Sequence, residues 1–394
     1  MKPLTDLVVL DLSRVLAGPI CTMLLSDLGA NVIKIEPFPK GDDSRTNPPF
    51  IDGESSYFLS LNRGKRSIVL NLKKNEGKEI FLKMVPTADI LVENFRPGTM
   101  ERLGLGYDTL KEINEGLIYC SISGFGQTGP YRDRPAYDSV VQAMSGLMSI
   151  NGYPDGHPTR VGASISDIAA GYTSSVGILS ALHKRDKDGK GQHIDVAMLD
   201  CMVYTLENAI SRYFATGVNP GRVGNRHPIC TPFDIFKTRD GYIAIAVQNN
   251  TIWERFCEAV EADSLLKDQR FETNTSRTEN EPLLKENILG ILSSKTTKEW
   301  LEILIEHSVP CGPINSIEDV VTDPHILARD MVVEVEHKKL GKIKAPGVPI
   351  KFSDTKCSIA TAAPVLGQHT DEILVECGFS ANEIQQFRES NVVV

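Results

Sequence analysis

The chain has few of the features that announce common protein classes. Its eight cysteines are scattered, with no C-x-x-C pair and no Cys/His cluster. Neither a zinc site nor a disulfide framework is therefore expected, and free thiols fit a reducing cytosol. No apolar run approaches bilayer-spanning length. Asp6 and Asp11 interrupt the N-terminus before an ordinary signal peptide can form. Basic charge is in deficit: 42 Lys and Arg against 51 Asp and Glu leave a net charge of −9. That balance argues against general binding to nucleic acid or to an anionic membrane surface. An anionic ligand would need a local basic pocket. No P-loop motif occurs, and no G-x-G-x-x-G follows the first strand, so ATP and NAD lack their usual phosphate cradles. Internal repeats and low-complexity segments are missing as well.

What is present reads as an α/β protein. At 394 residues the chain is long for one core, so two domains are expected. Leu7–Leu12 is a short apolar run of the kind a strand buried on both faces shows. A loop, Ser13–Pro19, leads to a helix over Ile20–Leu28 that stops at Gly29, and Asn31–Glu36 reads as the next strand. This is a βαβ unit and implies a parallel sheet. Glu36 lies where a dinucleotide fold holds its ribose-binding acid. Further units follow at Arg66–Leu72, Asn75–Val85, Asp89–Glu93, Tyr107–Asn114 and Leu117–Ser123. Ligands of such sheets bind beyond the carboxyl ends of strands. Arg63, Lys65, Arg66, Arg96 and Arg102, in loops flanking these strands, are either phosphate partners or solvated surface charges. Composition changes at Gly217–Arg222. Beyond it a hairpin around Arg239-Asp240-Gly241 and helices near Trp253–Val260, Pro282–Leu292 and Thr297–His307 suggest a separate α+β part.

The most informative stretch is Pro158–Gly171. It sets one carboxylate, Asp167, between a small-residue loop and an apolar segment that carries no charge until His183. A buried helix is expected to about Leu182, then a polar turn over Lys184–Lys190. Asp167 near the helix start suits two uses: capping, or a reactive carboxylate kept ionised by the helix dipole. Just before it, Pro135–Ser149 reads as a helix with Tyr137 and Asp138 near its start, and Met198–Thr216 reads as one long helix. Cys21 is either a small buried residue or a thiol activated at a helix start. His369 is either a structural histidine or a site residue.

Taken in order, several segments resemble the class III CoA-transferase family (CaiB/BaiF type). They are Leu10–Pro19, Gly29–Glu36, Asn62–Ile68, Val92–Gly98, Ser123–Pro130, Gly189–Asp200, Pro310–Pro313 and Leu366–Glu372. The likeness runs over nearly the whole chain. It implies a large Rossmann-like domain from residues 1–200 and 331–394, a linker helix and loop over 201–224, and a small α+β domain over 225–330. It also implies an interlocked homodimer and a cytoplasmic enzyme using acyl-CoA and a free carboxylic acid, without metal, NAD or ATP. Asp167 takes the position of the family's nucleophile, and Asp138 is either its neighbour or an ordinary first-turn acid of its helix. Arg14, Lys65, Arg66, Asn94, Arg96, Arg102 and Tyr137 match positions near CoA or the acyl group. Gly224, Asn225, Arg226 and His227 match a mobile glycine-rich loop that is richer in glycine in oxalate-specific members. Those members carry glutamine where this chain has Leu16 and a basic residue where it has Phe38. The apolar Leu16 therefore implies an acceptor acid larger or more apolar than oxalate. The alternative within the fold is an α-methylacyl-CoA racemase, which places a histidine where this chain has Tyr137.

Overall fold

Uncharged runs make the central strands, and alternation within them divides two cores. The computed structural model describes residues 1–394. The chain divides into two compact units, one of residues 1–147, 160–211 and 324–394, the other of residues 148–159 and 212–323. In the first unit β1 (Val8–Asp11), β2 (Asn31–Pro37), β3 (Arg66–Leu70), β4 (Ile90–Glu93), β5 (Ile118–Ser123) and β6 (His193–Ala197) form one sheet. Its order is β3-β2-β1-β4-β5-β6, and every neighbouring pair is parallel. Successive side chains point to opposite faces. Leu10, Ile33, Ile35, Ile68 and Leu91 join one core, and Val9, Val32, Ile90, Val92 and Ile118 join the other.

Helices cover both faces. On one lie α1 (Ala17–Asp27), α4 (Asp138–Met144), α5 (Ile165–Asp188) and α6 (Met198–Thr205); on the other, α2 (Asn75–Met84) and α3 (Tyr107–Ile113). The chain's end joins the second group. Ile373, Leu374, Val392 and Val393 pack in that core, and the Asn71 N–H donates to the Val392 carbonyl at 2.8 Å. Winding reverses between β1 and β4. This is the topological switch of doubly wound sheets, and a crevice opens there beyond the carboxyl ends.

Three helical expectations change. α5 does not end at Leu182; it continues to Asp188 and is closed by Gly189 in the left-handed region, φ 73°. The charged run is its solvated last turn, where cations suit the dipole. Nor is α5 buried all round, since Tyr172, Val176 and Leu179 form a stripe that is 48%, 64% and 37% exposed. The long helix after β6 is two, Met198–Thr205 and Glu207–Thr216, and Pro135–Ser149 resolves into α4 and a short turn, Leu147–Ile150.

The second unit has its own antiparallel sheet of β7 (Phe233–Lys237), β8 (Tyr242–Ala246) and β9 (Cys311–Pro313), ordered β9-β8-β7. Its core gathers Phe236, Trp253, Phe256, Leu284, Ile288 and Trp300. No helix is long and apolar enough to cross a membrane.

Candidate active site

β1 ends in Asp11, fully buried, which organises the loop that follows. Its carboxylate accepts from the Ser13 N–H at 3.0 Å, the Thr22 hydroxyl at 2.7 Å and the Lys65 ammonium at 2.9 Å. Lys34, also buried, donates to the Ser13 carbonyl at 2.9 Å and pairs with Asp42 at 2.8 Å. Asp42 in turn accepts the Val15 N–H at 3.1 Å. Burial works against Asp42's charge, yet the Lys34 ammonium and the Ser44 hydrogen bonds hold its carboxyl well below the usual range. The Asn94 amide, at the end of β4, closes the switch point. Its oxygen takes the Arg14 N–H and its nitrogen donates to the Arg14 carbonyl, both at 2.8 Å. Between these anchors Val15 has φ 66°, an uncommon conformation for a β-branched residue that persists only where surroundings over-determine it.

These bonds reassign several expected ligand residues. Lys65 is 1% exposed, and burial pulls its ammonium down to about 8 against the pull of Asp11; it is a core cation. The Asn94 side chain is engaged with the Arg14 backbone. Arg63 pairs with Asp27 at 2.7 Å, and Arg66 with Glu372 and Glu376 at 2.8 and 2.7 Å. The run leads into β3, of which Arg66 is the first residue, and so sits at its amino end, whereas ligands gather at carboxyl ends. Glu36 is buried too, held by Arg45 at 2.6 Å and the Ser67 hydroxyl at 2.6 Å, so it does not stand open for a ribose.

A cavity of about 400 Å³ does lie at the carboxyl ends. Arg14 after β1, Phe38 after β2, Leu72 and Lys73 after β3, and Phe95 and Arg96 after β4 line it. Arg14's guanidinium stands 5.0 Å over the Phe95 ring. Arg102 is exposed and donates at 2.8 Å to the hydroxyl of Thr99, a cavity residue. Cations mixed with aromatic and aliphatic walls suit an anionic ligand with a ring. Sequence reasoning passed over Lys73, although it follows β3 as Arg14 follows β1.

The loop that begins at Arg14 in this cavity ends against α5. Leu16, Ile20 and Leu61 cluster with Val15, Met23, Tyr57 and Ile168. Leu16 and Phe38 thus lie apart, one in this cluster and the other in the cavity. α5 meets α1 closely: a Cβ on Gly171 would lie 2.2 Å from Ile20 Cγ2 and 2.8 Å from the Ala17 carbonyl. Asp167, four residues earlier, shares that face. It is not the cap. Ser164 holds that position, and Asp167 is the third residue of the helix. No group donates a hydrogen bond to its carboxyl. Burial, and then Asp138, push Asp167 up to about 7. Burial thus acts against the ionised form that the helix dipole was expected to favour. Tyr57, lifted to about 12 by burial and the nearby Asp167, is a neutral phenol at neutral pH.

Asp138 is itself fully served. The Ser166 N–H and hydroxyl donate to one oxygen at 3.0 and 2.7 Å, and the Gln142 amide to the other at 2.8 Å. Gln142, one turn on in α4, also accepts the Val161 N–H at 2.8 Å, tying the loop before α5 to α4. Tyr57, Gln142 and Arg160 were not singled out beforehand. Only the Asp138–Gln142 spacing of one turn gave a signal. Tyr137, at the N-cap of α4, is 76% exposed. Cys21 lies in the core, its thiol lifted to about 12 by burial, which removes the activated-thiol reading. His369 accepts the Ser67 N–H at 3.0 Å through Nδ1 and is structural. Gly124–Gly129 spells G-x-G-x-x-G after β5, yet turns follow it rather than a helix, so the anion-binding helix end is missing. Gly224, Asn225, Arg226 and His227 belong to the second unit. There Asn225 donates to the Tyr153 hydroxyl at 3.0 Å and His227 stacks on Phe233 at 5.1 Å.

The structure thus pairs a switch-point cavity lined by cations with a loop that leads to α5 and the half-buried Asp167 carboxyl. The chain belongs to CoA-transferase family III, whose model matches residues 4–370, and it is a CoA-transferase. It is 46% identical to the acetyl-CoA:oxalate CoA-transferase of Acetobacter aceti over 89% of each chain. It is 40% identical to the human succinyl-CoA:glutarate CoA-transferase, covering 95% of this chain and 86% of that one. Among solved structures, a CaiB/BaiF family protein from Brucella suis matches with a TM-score of 0.85 at 40% identity, covering 95% of this chain and 99% of that one.

Proposed function

We propose that Asp167 is the nucleophile of a CoA exchange between an acyl-CoA and a free carboxylic acid. The observation that carries this reading is the Asp167 carboxyl itself: free of any hydrogen-bond donor, largely withdrawn from water, and pushed up to about 7 by burial and Asp138. An ion pair or a cap would have lowered its value. In the first step the Asp167 carboxylate attacks the thioester carbonyl and the CoA thiolate leaves, giving a mixed anhydride. The thiolate then attacks the aspartyl carbonyl and the donor acid departs as carboxylate. The acceptor carboxylate attacks the resulting aspartyl-CoA thioester, releasing the thiolate and forming a second mixed anhydride, and the thiolate then attacks the acceptor's acyl carbon and expels the Asp167 carboxylate. Each step exchanges one acyl bond for another, so no external energy source is needed, and one hard exchange becomes several easier ones. α1 starts without a side-chain cap. Its first N–H groups, beside Leu16, are the fixed donors for the developing oxyanions. The cavity at Arg14, Lys73 and Arg96 takes the phosphate-bearing end of CoA.

Ile168, next to Asp167 in the chain, packs in an apolar cluster with Leu16, Val15 and Met23. It favours an acceptor larger or more apolar than oxalate, because a small dianion would find no partners there. The relatives named for glutarate and for oxalate bracket this choice. The reading also includes a homodimer in which a second copy covers the Tyr172–Val176–Leu179 stripe. The test is intact-protein mass after incubation with acetyl-CoA and succinyl-CoA, with the modified peptide sequenced. A CoA or acyl adduct on Asp167, lost in Asp167→Ala together with exchange, is expected. Exchange that survives Asp167→Ala ends the reading.

A further inference from the structure

Most cations of the first unit near Asp167 are engaged. Lys65 pairs with Asp11 and Lys34 with Asp42, Arg45 pairs with Glu36, and Arg63 pairs with Asp27. Arg14 lines the cavity over Phe95. Arg160 differs. It stands in the segment leading into α5, and its side chain is 49% exposed. Its one hydrogen bond runs from Nη2 to the Gly162 carbonyl at 2.8 Å. Its Nη1 makes a loose ion pair with Asp138 Oδ2 at 3.6 Å, longer than a hydrogen bond. Both oxygens of Asp138 already accept from Ser166 and Gln142. The guanidinium is therefore held beside Asp138, whose charge reaches Asp167, with most of its N–H fork outside any hydrogen bond. Such a fork matches a carboxylate bidentately.

We infer that Arg160 recognises the distal carboxylate of a dicarboxylic substrate whose other carboxyl exchanges at Asp167. This rests on the CoA-transfer reading above and names its substrate class: short-chain dicarboxylic acids and their CoA thioesters. The parts are complementary in order. Asp167 takes the reacting end, Leu16 and Ile168 offer an apolar wall to the methylenes, and the far anion needs a cation with free donors. Arg160 is half in water before binding, so its desolvation cost is modest. Asp138 keeps its own partners when the ligand arrives, so no buried carboxylate is left bare. A monocarboxylic acid of equal length makes the same apolar contacts and forgoes the ion pair. Charged hydrogen bonds of this kind separate the two acids by roughly 10- to 100-fold in kcat/KM.

The experiment compares glutarate with valerate, which has the same carbon count and no distal carboxylate. The donor is whichever of acetyl-CoA and succinyl-CoA loads Asp167. The readout is the ratio of the two kcat/KM values within each variant, so a general loss of activity or folding cancels. Wild type should prefer glutarate by that factor, Arg160→Met should bring the ratio near one, and Arg160→Lys should restore part of it. A wild-type ratio near one, or a ratio unmoved by Arg160→Met, overturns the inference. When Asp167 loads normally in that case, the failure belongs to Arg160 alone. Exchange that persists in Asp167→Ala overturns the CoA-transfer reading instead.

Discussion

Replacing Asp167 by Asn should stop transfer and, at neutral pH, make the protein more stable. Burial and Asp138 lift Asp167 from 3.8 to about 7. A carboxyl raised in the folded state binds its proton more tightly folded than unfolded. Its contribution to stability is therefore complete below about pH 4 and is lost as the pH climbs through about 7. At about 1.4 kcal/mol per pH unit, a rise of about three units amounts to a loss of about 4 kcal/mol over that window. Asp167→Asn has nothing to titrate, so its advantage over wild type should grow from about 1 kcal/mol at pH 4.5 to about 4 kcal/mol at pH 7.5. Any fixed cost of fitting the amide shifts both values equally and leaves the growth intact. Tryptophan fluorescence is the wrong probe, because Trp253 and Trp300 both lie in the second unit. Hydrogen exchange of amides in α1 and α5, followed in urea at the two pH values, reads the first unit directly. An advantage that stays constant between pH 4.5 and 7.5 would refute the claim that Asp167 is a desolvated carboxyl.

Gly171→Ala should cost about 1–3 kcal/mol, because its Cβ would fall 2.2 Å from Ile20 Cγ2 and the helices must part. It should also slow adduct formation on Asp167, whose turn would move away from the Arg14–Leu16 loop; wild-type stability in urea together with a wild-type adduct rate would show that α1 and α5 do not meet there. Val176→Glu puts a charge in the middle of the exposed α5 stripe and should convert a dimer to monomers in sedimentation velocity. An unchanged dimer, or a wild type that is already monomeric, ends the idea that a second copy covers this face.

Much of the fold was legible because the central strands are buried on both faces. Such strands read as uninterrupted apolar runs, and helices punctuated by Gly29 and Pro19 separate them. Strand order was not legible, since nothing local says that β4 will lie beside β1. With that order hidden, basic residues looked alike. Lys65 lies 54 positions from Asp11 in the sequence yet its ammonium ends on that carboxylate, and the asparagine of the loop after β4 closes on Arg14, 80 positions away. Lys73, open in the cavity, sits in an unremarkable Leu-Lys-Lys. The ordered motifs identified the family, and they marked Asp167. They could not foretell the upward push on its carboxyl, because the helix dipole is a local property whereas burial and the charge of Asp138 come from residues brought near only by folding. Gln142 and Arg160 acquire meaning only once α4 and the start of α5 share Asp138.

The charges buried beneath the site raise a question of purpose. Asp11, Lys65, Lys34 and Asp42 are each about 1% exposed or less, and buried ion pairs seldom stabilise a fold beyond what apolar packing would. Their geometry offers another answer. Lys34 holds the Ser13 carbonyl, Asp11 holds the Ser13 N–H, and Asp42 holds the Val15 N–H. Ser13 and Val15, on either side of Arg14, are thus fixed by groups that cannot leave the core without stranding a charge. A left-handed valine costs about 1–3 kcal/mol and would relax if its neighbours were free. Held in place, it turns the chain so that Arg14 faces the cavity while Leu16 packs by Ile168, beside the Asp167 carboxyl. On the proposed reading, an acyl-CoA running from the cavity to Asp167 needs those two ends at a fixed separation, because a small displacement between reacting groups is costly in rate. The buried quartet thus serves the precision of the loop more than the stability of the sheet.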